Sequence, residues 1–96
     1  PIHTYYAAVA RKNLDGLPSG GYQMDNALSR SEALKGMTKW AAYANFEEGE
    51  KGSIEVGKMA DFVLLTNDIM VLNDSELLAT EVLATFVGGE MVYQRK

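Results

Sequence analysis

Few side chains in this sequence could take part in chemistry. A hydrolytic metal site needs several nitrogen or oxygen ligands, usually histidines, converging on one ion, but the chain has a single histidine, His3. It has no cysteine, which excludes disulfides, thiolate metal sites and thiol nucleophiles together. One histidine near the end of the chain also leaves no arguable Ser-His-Asp arrangement. The sequence therefore predicts no catalytic or metal-binding residue on this chain.

His3, Tyr5 and Tyr6 are the candidates for lining a pocket. A lone histidine near a chain end is more often solvated or packed than catalytic. Adjacent tyrosines at the start of a helix more often pack or face water than contact a substrate. These three residues are therefore pocket candidates for a larger protein rather than a site in themselves.

A second set of residues is predicted to have a structural role: Gly52, Gly57, Lys58, Asp61, Gly88 and Gly89. Lys58 and Asp61 flank a turn at Gly57, and their spacing predicts either a local salt bridge or an aspartate that accepts turn N–H groups. The Gly88-Gly89 pair lies between two extended runs, which indicates a β-hairpin turn rather than a phosphate-binding loop.

Two helices are predicted in the first half of the chain. Ile2 to Lys12 has apolar residues at helical spacing, with a proline before it that suits a first turn. Ser29 to Phe46 is the stronger prediction, because Ser29 and Glu32 have the spacing of a capping box. Gly49 is the predicted C′ residue that ends this helix.

Turn residues and short apolar runs organise the remainder. Asn13 to Asn26 is predicted to be a loop, because glycine, proline, serine and aspartate follow one another there. Ser53 to Val56 is a short β-type run before the pivot at Gly57. Phe62 to Leu65 is a continuous apolar run that predicts a strand covered on both faces.

The end of the chain predicts one more helix and a hairpin. Asn73 can cap a short helix from Asp74 to Ala79. The runs Glu81 to Val87 and Glu90 to Arg95 are predicted to pair around the glycine turn. Both faces of this hairpin are largely apolar, so it needs cover on two sides. The fold class that follows is α+β: two N-terminal helices, then short strands with a C-terminal β-hairpin.

The central motif also carries a family resemblance. The sequence reads G-S-I-x-x-G-K-x-A-D-F-V-L-L from Gly52 to Leu65, with S-R-S-E-A-L-K-G-M-T-x-W-A-A-Y-A before it and V-L-A-T-F-V-G-G-E-M-V-Y after it. It resembles the C-terminal segment of metal-dependent amidohydrolases, in the branch that includes N-substituted formamide deformylases. The resemblance spans most of the chain, roughly Tyr5 to Tyr93, and says little about the substrate.

The resemblance implies a parent enzyme with a (β/α)8 barrel and a small β-sandwich built from both chain ends. Residues 1–48 would be the last helices of the barrel, and residues 49–96 the C-terminal part of the composite sandwich. The parent would bind one or two divalent metals, with zinc expected, and use a metal-activated water on an amide or related C–N bond. The family's ligands are an H-x-H pair, a carboxylated lysine or glutamate, two further histidines and an aspartate. None of them matches a residue here.

Composition excludes several classes of partner. The net charge of −4 and pI of about 4.8 argue against a nucleic-acid surface or an anionic membrane surface. No apolar run approaches the ~18 residues of a membrane span, and no signal peptide is recognisable. The absence of cysteine fits a cytoplasmic location. The chain begins at Pro1 rather than methionine, which favours a piece of a longer protein.

Two hypotheses follow for function. In the first, the chain is the C-terminal structural portion of an amidohydrolase, inactive alone, with no cofactor of its own, and its partner is the remainder of its parent chain. In the second, it is a free-standing α+β interaction module that dimerises through its apolar strands. Under either hypothesis the isolated chain is expected to self-associate, because apolar strand faces left uncovered normally mark an interface.

Overall fold

Short helices and one small sheet make up the computed structural model, which describes residues 1–96. The elements in chain order are α1 Ile2–Ala10, a 3₁₀ turn Met24–Asn26, α2 Arg30–Met37, α3 Lys39–Ala44, β1 Phe62–Leu65, α4 Asp74–Leu77, β2 Val82–Val87 and β3 Glu90–Gln94. The α+β class is therefore confirmed. The barrel and sandwich of a parent enzyme stay predictions.

The chain forms two compact units, each made of two separated segments. The first unit comprises residues 1–34 and 68–80, and the second comprises residues 35–67 and 81–96. The division at residue 48 that the resemblance implies concerns the domains of a longer protein, and it stays a prediction.

The core of the first unit is built on helix α1. Its buried residues are Tyr5, Tyr6, Ala10, Ala33 and Leu77, with further apolar side chains half-buried against them. Helix α1 ends at Ala10, two residues before the predicted end at Lys12. Arg11 adopts a left-handed conformation with φ 56°, and this backbone reversal stops the helix.

The loop predicted from Asn13 to Asn26 is present, apart from its closing 3₁₀ turn. The Asn13 side chain organises its first half, since Oδ1 accepts hydrogen bonds from the backbone N–H groups of Asp15 and Leu17, both at 3.0 Å. Asparagine commonly forms such turns with residues just after it in the chain.

The predicted helix from Ser29 to Phe46 is correct in its start and wrong in its continuity. The capping box forms, because the Ser29 N–H donates to Glu32 Oε1 at 3.0 Å and the Glu32 N–H donates to Ser29 Oγ at 3.1 Å. The helix then breaks at Thr38, whose φ and ψ are −126° and −88°. Apolar periodicity continues through Thr38, so the pattern alone does not reveal this break.

The end of α3 also differs from the prediction. The helix stops at Ala44, and Phe46 rather than Gly49 takes the left-handed conformation, with φ 60°. The Glu47 N–H donates to the Ala42 carbonyl at 2.8 Å, and the Phe46 N–H donates to the Tyr43 carbonyl at 3.1 Å. These two bonds form a Schellman motif with phenylalanine at C′, the position where glycine is usual.

The sheet of the second unit has strand order β1-β2-β3, with both pairs antiparallel. The hairpin is confirmed, and its two glycines have φ values of 59° and 82°. The rings of Phe62 and Phe86, opposite each other in the register, stack with centroids 4.6 Å apart. This stacking fixes the pairing of β1 with the central strand.

Two further predictions need correction. Ser53 to Val56 forms no strand, and the side chains of Ile54 and Val56 are fully or almost fully exposed. These residues instead belong to a loop whose two ends are joined by a backbone hydrogen bond, in which the Met59 N–H donates to the Glu50 carbonyl at 2.7 Å. Helix α4 ends at Leu77 rather than at Ala79, and Asn73 occupies its N-cap position without a side-chain hydrogen bond.

The strands carry exposed apolar side chains. All five residues of β3 are exposed, and so are Val63 and Leu64 in β1, which are each 48% exposed. Ala84 in β2 is buried. The sequence predicts a β1 covered on both faces, yet these β1 and β3 side chains are about half accessible to solvent.

Candidate functional site

The central motif and the hairpin turn form one locked structure in the second unit. Asp61 Oδ1 accepts a hydrogen bond from the Gly88 N–H at 2.8 Å. The Gly89 N–H donates to the carbonyl of Ala60 at 2.9 Å. Asp61 thus accepts a turn N–H, but from the hairpin turn at Gly88 rather than from the turn at Gly57 that the prediction concerned, and the motif holds the hairpin turn from outside the sheet.

Lys58 pairs within its own loop instead of with Asp61. Its Nζ lies 3.0 Å from Glu55 Oε2 and donates to Ser53 Oγ at 2.9 Å. The Ser53 hydroxyl in turn donates to Glu55. The hydrogen bonds from Ser53 and then from Lys58 hold the pKa of Glu55 below its ordinary value. These contacts stabilise the turn at Gly57.

A similar pair closes the loop before Gly52. Lys51 Nζ lies 2.6 Å from Glu47 Oε2, and the Asn45 side-chain amide also donates to Glu47. The bonds from Lys51 and Asn45 lower the pKa of Glu47, and the same bond to Glu47 raises the pKa of Lys51. Since both groups lie at the surface, solvent screens this pair, and its role is to shape the loop.

Gly52 is the position of closest approach in the motif. Its φ is +99°, and a Cβ placed there would lie 2.8 Å from the Ala42 Cβ and 3.2 Å from both the Lys39 Cα and the Thr38 carbonyl oxygen. Gly57 has a similar φ of +94°, but a Cβ there would meet no atom within 4 Å. Glycine is therefore required at Gly52 for space and conformation, and at Gly57 for conformation alone.

Removing the Asp61 carboxylate should loosen the hairpin turn. We expect Asp61→Ala to lower the free energy of unfolding by about 1 kcal/mol, because the Gly88 N–H then has only solvent as its partner. Asp61→Asn keeps an acceptor and should lose less. Hydrogen exchange of the Gly88 amide measures the effect, and equal protection in the wild type and in Asp61→Ala would contradict it.

The candidate pocket residues lie at the start of α1 in the first unit. His3 is exposed, whereas Tyr5 and Tyr6 are 1% and 3% exposed in the core. The Tyr5 hydroxyl donates to the carbonyl of Ile69 at 2.8 Å. Burial raises the pKa of the Tyr5 phenol, partly opposed by the positive charge of Arg30. A role for the three residues in lining a substrate pocket stays a prediction.

Arg30 makes structural contacts that sequence reasoning missed. Its Nη1 donates to the same Ile69 carbonyl at 2.9 Å, and its Nη2 contacts Asp74 Oδ1 at 2.8 Å. Together with Tyr5 it fastens the segment 68–80 to α1 and α2. No local pattern could indicate this, because Ile69 and Asp74 are 39 and 44 positions away from Arg30 in the chain.

An open groove of about 650 Å³ lies beside this network in the first unit. It is lined by Lys12, Arg30, Met70, Val71, Leu72, Asn73, Asp74 and Ser75. None of His3, Tyr5 and Tyr6 contributes to it. Its lining carries two cations, Lys12 and Arg30, and one carboxylate, Asp74, which is paired with Arg30.

The side chains present do not fit the metal that the resemblance implies. No group of three or more histidine, cysteine, aspartate or glutamate side chains comes together in the structure. The geometry thus defines structural contacts, namely a motif that holds a hairpin and a network that fastens a segment. No helix combines the length and the apolar character required to cross a membrane.

Comparison with known proteins identifies the family to which this chain belongs. The model of the amidohydrolase family matches residues 1–93, so the chain belongs to the amidohydrolase family. It is similar to the N-substituted formamide deformylase of Arthrobacter pascens, with 36% identity over 95 residues. It is also similar to YtcJ of Bacillus subtilis (strain 168), named as a candidate amidohydrolase, with 28% identity over 95 residues.

These alignments cover nearly all of this chain and a small part of each relative. They include 99% of this chain in both cases, but 17% of the deformylase and 18% of YtcJ. A crystal structure of an amidohydrolase from Thermotoga maritima MSB8 matches the fold with a TM-score of 0.56 and 24% identity. That match covers 85% of this chain and 18% of the other.

Proposed function

We propose that this chain is the C-terminal structural portion of a metal-dependent amidohydrolase that hydrolyses an amide or related C–N bond. The observation that carries the proposal is the family match over residues 1–93, in relatives of which the chain spans less than one fifth. Zinc is the expected ion. Its ligands would come from the remaining part of the enzyme, since the side chains of this segment offer no suitable set.

The work of the segment in this proposal is scaffolding. The motif from Gly52 to Asp61 holds the β2–β3 turn, and the Tyr5–Arg30 network holds the segment that carries α4. Both are arrangements of backbone groups satisfied by side chains, which fix geometry without supplying nucleophiles or proton donors. They would hold a fixed surface against the catalytic part of the enzyme.

The test compares the intact protein with this chain alone. The intact protein should hydrolyse an N-substituted formamide, the class of compound named for the Arthrobacter pascens relative, and a chelator should abolish the reaction. The 96-residue chain with added zinc should give no turnover. Turnover by the chain alone, or an intact protein that is no longer than this chain, would overturn the proposal.

A second function is favoured by the exposed apolar strands. Val87, Met91, Val92 and Tyr93 are 49–60% exposed, which suits a module that dimerises through its sheet. Sedimentation of the intact protein separates the two. A stable dimer that dissociates on Val92→Lys while C–N hydrolysis is absent would favour the interaction module over the hydrolase.

A further inference from the structure

Met70 lies at the boundary between the core of the first unit and solvent. Its sulfur accepts a hydrogen bond from the hydroxyl of Tyr5, with the two atoms 3.7 Å apart. Tyr5 is 1% exposed, whereas Met70 is 40% exposed and lines the open groove. The Met70 backbone N–H donates to Asp68 Oδ1 at 2.9 Å, which holds the residue in this position. Solvent therefore reaches Met70 on one side, and a buried hydroxyl contacts its sulfur on the other.

The hydroxyl contact distinguishes Met70 from the other methionines, and exposure does not. The chain has five methionines, and the other four, Met24, Met37, Met59 and Met91, are 36–49% exposed. A thioether is a weak acceptor that accepts an O–H only where the fold brings one to it. Met70 is the one methionine whose sulfur accepts a hydrogen bond from another side chain.

The Tyr5 hydroxyl has two acceptors for one proton. It donates to the Ile69 carbonyl at 2.8 Å and, over the longer distance, to the Met70 sulfur. The Ile69 carbonyl also accepts from Arg30 Nη1 at 2.9 Å. The Tyr5 proton can thus turn fully towards Met70 while the Ile69 carbonyl keeps a donor.

We propose that Met70 is a site of reversible oxidation by hydrogen peroxide, after which the Tyr5 hydroxyl donates to the sulfoxide instead of to Ile69. In the reaction the peroxide transfers one oxygen atom to the thioether, which loses two electrons, and the peroxide is reduced to water. Sulfoxide reductases return methionine sulfoxide to methionine. The proposal concerns contacts within the first unit, so it holds whether or not the intact protein is a hydrolase.

The Tyr5 hydroxyl determines what this oxidation does to the first unit. A sulfoxide is polar, and beside a core it normally disrupts packing. Here it forms on a sulfur that already has an O–H donor, so the new oxygen has a hydrogen-bond partner. The hydrogen bond moves from residue 69 to residue 70 of the same segment. The oxidised first unit should therefore keep the segment 68–80 attached to α1.

The test is hydrogen exchange of the α1 amides in the intact protein before and after peroxide, with oxidation of Met70 followed by peptide mass spectrometry. In the wild type, oxidation should leave α1 exchange almost unchanged. In Tyr5→Phe the sulfoxide has no donor, and oxidation should make α1 exchange about fivefold faster, the factor that corresponds to one hydrogen bond. Equal responses of the two proteins would overturn the proposal. So would a Met70 that stays unmodified while Met59 and Met91 are oxidised.

Two further variants assign the effect to these contacts. Tyr5→Phe combined with Met70→Leu has no sulfur at position 70, so peroxide should not change its α1 exchange. Acceleration there would place the effect on another methionine and overturn the proposal. In Arg30→Ala the Ile69 carbonyl has no donor once Tyr5 bonds the sulfoxide, so peroxide should accelerate α1 exchange in this variant. An Arg30→Ala protein that responds like the wild type would show that the hydrogen bond does not move.

Discussion

Gly52→Ala should lower the free energy of unfolding of the second unit by about 2–5 kcal/mol, because positive-φ strain and overpacking act together. The added Cβ would lie 2.8 Å from the Ala42 Cβ and 3.2 Å from two backbone atoms, the Lys39 Cα and the Thr38 carbonyl oxygen. None of these three atoms belongs to the flexible end of a side chain, so none can move away easily. Either the loop that contains Gly52 or helix α3 must therefore shift.

Trp40 reports on this change directly. It is the single tryptophan of the chain and lies in the second unit, on the helix against which Gly52 packs. Urea unfolding followed by its fluorescence should show a lower midpoint for the variant. If the two proteins have the same m-value, the slope of the unfolding free energy against urea concentration, then the shift in midpoint reports a change in stability alone.

Gly57→Ala is the matched control within the same motif. Its φ of +94° is almost the same, but its surroundings are open. The free energy of unfolding should therefore fall only by the cost of backbone strain at positive φ, about 1–2 kcal/mol. Equal losses at Gly52 and Gly57 would show that close packing at Gly52 contributes nothing.

Tyr5→Ala should destabilise the first unit by about 3–5 kcal/mol, the usual cost of removing a buried aromatic ring. Tyr5 is 1% exposed and belongs to the same core cluster as Leu77, which is fully buried. A small unit has little stability in reserve, so this loss can unfold it. Hydrogen exchange of the α1 amides measures the effect, and α1 protection equal to that of the wild type would contradict it.

Tyr5→Phe separates the ring from the hydroxyl. The Ile69 carbonyl keeps its bond from Arg30 at 2.9 Å, so no buried acceptor is left without a donor, and the free energy of unfolding should fall by about 1 kcal/mol.

The pKa of Tyr5 is raised in the folded state. The unfolded chain therefore releases this proton more readily, and stability falls as the pH rises past the ordinary tyrosine value. Above about pH 10 the advantage of the wild type over Tyr5→Phe should shrink.

Local signals in the sequence were enough for several elements. The capping box predicted where α2 begins, since both of its partners lie within three residues of each other. The glycine pair predicted the hairpin turn, because positive φ at both positions is a property of the residues themselves. The spacing of Lys58 and Asp61 predicted contacts at the turn of Gly57, so the actual partner of Asp61, the Gly88 N–H 27 positions away, was missed.

Features set by distant contacts were beyond local reasoning. The break at Thr38 and the end at Ala44 occur where the chain folds back and Gly52 meets Ala42. The β-type composition from Ser53 to Val56 predicted a strand that has no partner here. The left-handed Phe46 had no residue signal, because phenylalanine is disfavoured there. The family resemblance was recognisable because it rests on the order of sequence motifs along the chain. That order can be read without knowing which residues contact one another.

The interleaved construction of the first unit has a consequence during synthesis. Tyr5 is 64 positions away from Ile69, whose carbonyl it binds. At a translation rate of about 5–20 residues per second, α1 leaves the ribosome roughly 3 to 13 s before its partner segment. Throughout that interval the two tyrosines are without their native cover. A nascent chain stalled before Ile69 emerges is thus a natural client for a chaperone, even though the residues of helices α1, α2 and α3 have already been made.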